Sequence, residues 1–490
     1  MDISSNNNLS IIKKIFAVIT GAFLIGFAWR IRGNHGFGSM WGMFCVATTI
    51  LLFVYAIYGK RIKMNYEMLP IGVFLAGITA GGWGTLNSQM DGYLSSSWNF
   101  QGEEVYRYLE ISPYSGLAIM LMLGFGWMPL FAIVLGSLFS KKKYEFKDYI
   151  IFIGIYYATY FIANLSVSHY ILSVINPQAV EGATLGLIDA GHDMTPMNAF
   201  ITQLGSAAWA KKIPFCRNYF TSVQVISSAI GAFASSLGVG IVLKDKFNAI
   251  FSTLVNIVCG IAITVADIPL ILDSDRGFFA GVKAPGFLAS SAWSTWEFFT
   301  GFFLGLGIML VIVLLPKKFT DNEEYEYSPL FKNKKLSLLF NSLFTILLLF
   351  GIVILRGFAF RLNELTLDND VFETVLTVIL SVIAFFPIYK KVKPNIESNN
   401  MPLNMLPYQF ANKVLPYYIG VIALMYFFLG EKAHNTIFII KNTGKILSAD
   451  GFLELWNGGF LWEHTLMAVA VLVFFVIFTI LFKNRKEKSK

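Results

Sequence analysis

Residues 16–55, FAVITGAFLIGFAWRIRGNHGFGSMWGMFCVATTILLFVY, place a short polar segment between two long apolar runs. Each run approaches the roughly 20 residues that a helix needs to cross the hydrocarbon core of a bilayer. A spanning segment must pair its backbone groups internally, and the alternation typical of a barrel is absent, so these runs predict helices. The stretch therefore predicts a transmembrane helical hairpin.

The same pattern recurs along the whole chain. Of its 490 residues, 56% are hydrophobic and 14% are charged, and the mean hydropathy is +0.61. An average soluble domain carries about 25% charged residues. We therefore expect an all-α integral membrane protein, a polytopic bundle of about twelve transmembrane helices. The predicted spans are 11–29, 37–58, 67–84, 114–139, 149–174, 219–243, 247–271, 292–316, 336–355, 371–389, 411–429 and 462–482.

Lysine and arginine are unevenly divided between alternate connections. The N-terminus, the C-terminal tail and every second connection together hold 25 of the 38 Lys and Arg residues. Because cytoplasmic connections carry an excess of positive charge, we expect both termini in the cytoplasm and a multi-pass protein of the cell membrane. The net charge of +8 then reflects topology and contact with anionic lipid headgroups of the bilayer, and we expect no nucleic-acid partner.

A polar, charged segment at residues 317–335 predicts a cytoplasmic linker. It would separate a bundle of about eight helices, residues 1–316, from a plainer bundle of about four helices, residues 336–490. The first bundle carries most of the polar clusters that fall in the predicted outer connections. We therefore expect the functional site in this bundle, on the extracytoplasmic side.

Two arginines follow the first apolar run. Arg30, Arg32 and His35 occupy a glycine-rich stretch, and Trp41 comes shortly after it. Guanidinium groups bind phosphate or carboxylate through two parallel hydrogen bonds. The stretch therefore predicts an outward-facing clamp for an anionic group of a substrate. The alternative is an interfacial arginine that extends to lipid headgroups or pairs with an acid.

Two later outer connections, DAGHDM and DSDRG, combine carboxylates with a basic side chain. Carboxylate and imidazole groups act as general acids and bases and also bind divalent metals, and an Asp-x-Asp pair can hold a cation that bridges phosphates. Solvated loops and helix caps are the alternative. The sequence leaves the cofactor open, with a divalent cation as the candidate. The expected roles are catalysis for His192 and Asp193, substrate binding for Arg276, and metal ligation for Asp189, Asp273 and Asp275.

A third kind of cluster combines aromatic and acidic or amide side chains. Glu297 lies just inside the outer end of a predicted helix, beside Trp293 and Trp296. Desolvation among aromatic rings disfavours a charged carboxylate, which is the environment of a catalytic acid. An acidic residue also suits the first turn of any helix. The segment GWGTLNSQMDGY adds Asn87 and Gln89 as candidates for reading sugar hydroxyls and Asp91 as a catalytic candidate, although such residues also form ordinary turns.

These clusters favour a membrane-embedded enzyme that acts on a glycan or lipid-linked glycan by glycosyl transfer or hydrolysis. Its layout resembles that of multispan glycan transferases and ligases that use lipid-linked sugars. The alternative is a transporter of a sugar, an organic anion or a lipid, and a glycan-binding scaffold is a third possibility. Transport would predict polar groups that continue toward the bilayer centre and pseudo-symmetric halves, and the sequence indicates neither. In the spans the sequence offers Asn164 and Asn256, which are polar but neutral. The oligomeric state stays open.

Overall fold

The structure of the chain is a computed structural model. It describes residues 11–33, 40–58, 68–80, 97–98, 109–110, 112–177, 180, 214–268, 272, 279–283 and 292–315, and the single positions 372, 375, 376, 379, 383 and 476. The predicted spans 336–355 and 411–429 lie outside the described residues, and those at 371–389 and 462–482 are described only at these single positions.

The described part of the chain consists of helices, the turns between them and one antiparallel pair of short strands. The helices are α1 Ile11–Gly33, α2 Met40–Tyr58, α3 Met68–Ala80, α4 Pro113–Phe125, α5 Pro129–Ser137, α6 Phe146–Asn164, α7 Val167–Ile175, α8 Pro214–Ile241, α9 Lys246–Ala266 and α10 Ala292–Leu314. Two-residue strands β1 Ser97–Trp98 and β2 Leu109–Glu110 pair in antiparallel register.

Four of these helices are long and apolar enough to cross a membrane, and two bent pairs raise the number of candidate spans to six. The four are within α1, α8, α9 and α10, and the bent pairs are α4 with α5 and α6 with α7. Each of the eight spans predicted up to residue 316 overlaps at least one described helix, but α2 and α3, at the predicted spans 37–58 and 67–84, are not among the candidate membrane spans. The prediction of a helical membrane protein is therefore confirmed for this part of the chain.

Helix α9 illustrates how the apolar residues are distributed. Ile250, Ile257 and Ile261 are exposed on one side, whereas Phe251, Val255 and other residues of the opposite side are buried. A large exposed apolar surface is unusual on a soluble protein and suits contact with lipid tails. The helix has 21 residues, a length of about 31 Å, which matches a hydrocarbon core of about 30 Å.

The chain forms two compact units. The first comprises residues 1–77 and 308–490, and the second comprises residues 78–307. In the first unit, α1 packs against α2, and a side chain at Gly21 would overlap Phe53 and Met309. In the second unit, α8 packs against α6 and α9, and α9 packs against α4 and α5. The domain boundaries predicted around 317–335 remain a prediction.

Close packing in the second unit depends on glycine. A Cβ at Gly124 of α4 would lie 2.5 Å from the carbonyl oxygen of Cys259 in α9. A Cβ at Gly260 would lie 2.8 Å from the carbonyl oxygen of Leu121. Since both obstacles are backbone atoms, which cannot rotate away, only glycine allows α4 and α9 to approach this closely.

Two helix pairs of the second unit, each a candidate span when taken together, are bent at a short break. At the first break, residues 126–128, the chain turns by 46° between α4 and α5, and Pro129 begins α5, where its missing N–H is not needed. At the second break, residues 165–166, it turns by 59° between α6 and α7. Every residue of α5 is buried.

Candidate functional site

The structure describes only part of the predicted outer site. The side chains of Arg30, Trp296 and Glu297 are described. For three others the structure describes the helical backbone alone, namely Arg32 in α1, Trp41 in α2 and Trp293 in α10. The remaining candidates lie outside the described residues, and their roles stay predictions: His35, Asn87, Gln89, Asp91, Asp189, His192, Asp193, Asp273, Asp275 and Arg276.

Arg30 is buried near the C-terminal end of α1. Its side chain is 5% exposed, and the neighbouring Trp29 is fully buried. An arginine that extends to headgroups keeps its charged end in water, so this burial does not fit the simple anchoring interpretation. A buried guanidinium is stabilised by hydrogen-bonded or charged neighbours.

Glu297 is buried in the second turn of α10. It is 7% exposed, and Trp296 beside it is fully buried. Thr300, one turn further on, donates a hydrogen bond to the Trp296 carbonyl over 2.8 Å and is also buried. The carboxylate therefore lies in a shielded environment, as the aromatic residues around it in the sequence predict.

A buried serine pair in α8, Ser227 and Ser228, connects the two breaks of the second unit. Ser228 donates a hydrogen bond to the carbonyl of Gly126 in the first break, over 2.7 Å. Ser227 lies 2.8 Å from the hydroxyl of Ser168, in the first turn of α7 after the second break. The hydroxyl of Tyr156 in α6 lies 2.7 Å from that of Ser228. One helix thus supplies neighbouring hydroxyl groups to both broken spans.

At the N-terminus of α9, a second group of polar side chains surrounds a buried carboxylate. Asp245 caps α9 by accepting from the Asn248 backbone N–H, and it also accepts hydrogen bonds from the hydroxyls of Ser140 and Tyr144. The Asn248 side chain donates to the Tyr144 hydroxyl and to the Ile133 carbonyl. This Asp245 cluster joins the connection between α5 and α6 to the start of α9.

The protonation of Tyr144 is fixed by this environment. Burial, and next the negative charge of Asp245, raise the pKa of the Tyr144 phenol well above its ordinary value. The hydroxyl therefore stays protonated at neutral pH and donates to Asp245 over 2.8 Å. The Asp245 cluster therefore links these segments structurally, and the proton of its Tyr144–Asp245 hydrogen bond belongs to Tyr144.

Polar side chains continue from the Asp245 cluster along the buried side of α9. Asn248, Ser252 and Asn256 recur every four residues, so they lie in one row on the helix. Ser252 donates to Ser236 of α8 over 3.0 Å. Further along α9, Thr264 and then Asp267, directly after the helix, are also buried. We call this set, from Asp245 to Asp267, the α9 polar row.

Asn256 lies between the two places where α9 contacts α4 and α5. A Cβ at Gly124 of α4 would meet Cys259, and a Cβ at Gly136 of α5 would meet Asn248. Residues 126–128 come between the same two contacts along α4 and α5, so we infer that Asn256 lies near the level of the first break. Asn256 is 1% exposed, and neither atom of its amide has a hydrogen-bond partner among the described residues.

The spacing of residues in the sequence indicates the α9 polar row, although the amino-acid composition does not. The letters of α9 place polar or small residues at 248, 252, 256, 260 and 264, a four-residue period that marks one face of a helix. Four of the five serines of α8 form two adjacent pairs, Ser227 with Ser228 and Ser235 with Ser236. Their partners on other helices could not be read from the sequence.

Within the ranges that the structure describes, no group of three or more His, Cys, Asp or Glu side chains has the arrangement of a metal site. The predicted metal ligands lie outside those ranges, so that prediction is untested. Comparison of the chain with protein-family models, with characterised proteins and with solved structures found no match.

Proposed function

We propose that this protein is a transporter whose solute passes through the second unit, between helices α4 to α9. The observation that carries the proposal is the serine pair, whose hydroxyls hydrogen-bond to the first break and to α7 just beyond the second. In many transporters, discontinuous helices form the substrate site, because interrupted backbone at membrane depth is tolerated where it lines a polar cavity.

The α9 polar row supports the same proposal. Transport requires polar groups between the two ends of the span, and the row supplies them from Asp245 to Asp267. Buried serine and asparagine also strengthen the packing of helices that perform no transport. The Asn256 amide, which has no partner among the described residues, favours the transport role over packing alone.

The proposal extends to the topology of the whole chain. We propose about twelve spans with both termini in the cytoplasm of a cell-membrane protein, as the distribution of Lys and Arg predicts. Asp245 then lies at the cytoplasmic end of the α9 polar row and Asp267 at the extracytoplasmic end. Of the outer clusters predicted from the sequence, those within residues 78–307 would line the entrance. The candidate solutes are a sugar, an organic anion and a lipid.

The test is solute flux in liposomes that contain the purified full-length protein. Radiolabelled glucose, mannitol, lactate and citrate are offered in turn, and transbilayer movement of a fluorescent phospholipid is followed separately. Protein-dependent movement of one class is expected, and Ser228→Ala should reduce it at least tenfold. Ser235→Ala is the matched control, because Ser235 is also buried on α8 and, among the described residues, its hydroxyl bonds only to the Ala232 carbonyl of its own helix.

Equal movement in protein-containing and empty liposomes for every probe would contradict transport. Equal loss in both serine variants would show that the effect comes from removing any buried hydroxyl of α8. Either result would return the polar row to a role in helix packing.

A second candidate, the membrane-embedded enzyme acting on a glycan or lipid-linked glycan, is favoured by the burial of Glu297 beside Trp296. A carboxyl group shielded beside an aromatic ring is an environment in which a general acid can act. Mass spectrometry of lipids and surface glycans from cells expressing wild type, Glu297→Gln and Arg32→Ala tests this candidate. A product that both variants lose, and that the exposed-site control Glu145→Gln retains, would support it. Identical extracts would count against it.

A further inference from the structure

We infer that Asn256 is the polar anchor of a buried binding site for a neutral polyhydroxyl solute, a sugar or a polyol, at the first break. The inference rests on the proposed transport function for the route by which the solute arrives. It goes further by selecting one solute class from three and one side chain as the anchor.

Asn256 occupies the middle of the span. It is eleven residues from Asp245 and eleven from Asp267, about 16 Å along the helix in each direction. Half of a hydrocarbon core is about 15 Å. The buried groups at this level are therefore shielded from water at both surfaces, and the same depth is where transporters hold their solutes.

The side chain faces other helices and not lipid. Its neighbours in the row make contacts on both sides of it: Ser252 bonds to Ser236 of α8, and Gly260 contacts Leu121 of α4. Asn256 lies between them on the same face and is 1% exposed. Its amide is thus directed toward the seam where α8 and the first break meet α9.

An amide without partners at this depth is unfavourable. Each buried donor or acceptor that lacks a hydrogen bond loses the water it would otherwise bind, and native structures rarely retain such groups without a ligand or ordered water. At Asn256 both the carbonyl oxygen and the amino group lack partners among the described residues. The acceptor oxygen and the donor nitrogen of the amide therefore both need a hydrogen-bond partner.

The chemistry of the amide selects hydroxyl groups. Its acceptor oxygen and donor nitrogen stand side by side, so they can bond two adjacent hydroxyls of one molecule, one as donor and one as acceptor. Vicinal hydroxyls of this kind are the defining groups of sugars and polyols. Trp127, which lies in the first break and is 1% exposed, belongs to a residue type whose ring suits the apolar face of a sugar.

Among the residues that the structure describes, none near this level carries a charge, which argues against the other solutes. The contacts of Gly124, Gly126 and Ser252 indicate that these residues lie within 121–128 of α4 and the first break, 226–232 of α8 and 252–260 of α9, and none of them is Asp, Glu, Lys, Arg or His. An organic anion would lose its hydration here with no cation to replace it. A lipid would need a site open to the bilayer, which 1% exposure does not offer.

The experiment is calorimetric titration of the detergent-purified full-length protein with mannitol, glucose, lactate and citrate as separate probes. We expect mannitol or glucose to bind and the two anions not to bind. Asn256→Leu, similar in volume, should weaken binding at least tenfold, and Asn256→Ser, which keeps one hydroxyl, should weaken it less. Thr253→Val is the matched control, since the Thr253 hydroxyl bonds to the Ala249 carbonyl of α9 and to no other residue in the described part of the chain.

Thermal unfolding of the same samples separates a binding role from a structural one. If the amide serves a solute, Asn256→Leu should unfold at an equal or higher temperature, because it removes unpaired polar atoms from the interior. A lower unfolding temperature, unchanged polyol binding by Asn256→Leu, or binding of the anions alone would each overturn the inference.

The same titrations keep this inference distinct from the transport proposal. Flux of lactate or citrate in liposomes, with no polyol binding, would support transport and overturn the polyol site. Polyol binding that depends on Asn256, with no flux of any probe, would support the site and overturn transport.

Discussion

The hydroxyls of Tyr156 and Ser228 lie 2.7 Å apart, and the Ser228 hydroxyl donates a hydrogen bond to the Gly126 carbonyl over the same distance. A side chain of α6, a side chain of α8 and the interrupted backbone after α4 thus share one buried chain of hydrogen bonds. Removing its central member leaves two buried groups to find other partners, which gives the first prediction.

Ser228→Ala should lower the free energy of unfolding by about 1–3 kcal/mol, because the Tyr156 hydroxyl and the Gly126 carbonyl would lose a buried partner. SDS titration of the protein in mixed micelles, followed by tryptophan fluorescence, measures the change. Ser235→Ala should have a smaller effect, since its hydroxyl bonds within its own helix. Equal losses would mean that the link between α6, α8 and the first break contributes no additional stability.

Tyr144→Phe should destabilise the protein near neutral pH by about 1–3 kcal/mol, since Asp245 would lose a buried donor. Tyr170→Phe is the control, because Tyr170 is an exposed tyrosine of α7. A variant as stable as wild type would show that the Asp245 cluster does not depend on the phenol.

The stability difference between wild type and Tyr144→Phe should also depend on pH. The pKa of Tyr144 is raised in the folded protein, so its contribution is fully present below the unfolded value of about 10 and declines as pH rises beyond it. The decline should be at most about 1.4 kcal/mol per pH unit. Unfolding measured from pH 8 to pH 11.5 should show the two proteins converging above pH 10. A constant difference would contradict the raised pKa.

Gly124→Ala should destabilise the second unit by about 1–3 kcal/mol, because the new methyl group would lie 2.5 Å from backbone atoms of Cys259 and Gly260. Gly154→Ala is a matched control in α6, where an added Cβ meets nothing within 4 Å. This control should be neutral or stabilising by up to about 1 kcal/mol, as expected for alanine in a helix. The same micelle unfolding assay compares them, and a reversed order would contradict the packing of α4 on α9.

Asp148→Ala should weaken the start of α6. Its carboxylate accepts a hydrogen bond from the Glu145 backbone N–H over 2.9 Å, as one half of a capping box. Losing such a cap costs about 0.5–2 kcal/mol. Lys143→Ala, in the same connection, is the control. Hydrogen exchange of residues 145–149, followed by mass spectrometry, should rise in Asp148→Ala alone.

The helices were predictable because apolar length alone determines them. The spans predicted at 114–139 and 149–174 do correspond to helical structure, yet each is broken, and hydropathy averages over a break. GFGWMP contains the glycines and proline typical of an interruption, so the first break had a local signal. The second break, at Leu165 and Ser166, contains no glycine or proline. It could not be predicted from local sequence, because it depends on the tertiary contacts of α7.

The site residues were predicted mainly in the outer connections, because charged residues are concentrated there. Arg30 and Glu297 are both more buried than a surface residue of their type, which hydropathy could not have anticipated. The α9 polar row consists mostly of neutral residues that barely change the local hydropathy, so composition conceals it. Its four-residue period was readable, but the pairing of Ser252 with Ser236 depends on the register of two helices in contact.

The complete burial of α5 has a consequence for biogenesis. At nine residues, about 13 Å, it is too short to cross a bilayer alone, and the Gly126 carbonyl beside it receives its bond from Ser228, 102 positions later in the chain. At a synthesis rate of about 5–20 residues per second, roughly 5–20 s pass before that serine exists. Until then the first broken span must be held by water, by the insertion machinery or by a chaperone, so the second unit completes this span only after α8 has been inserted.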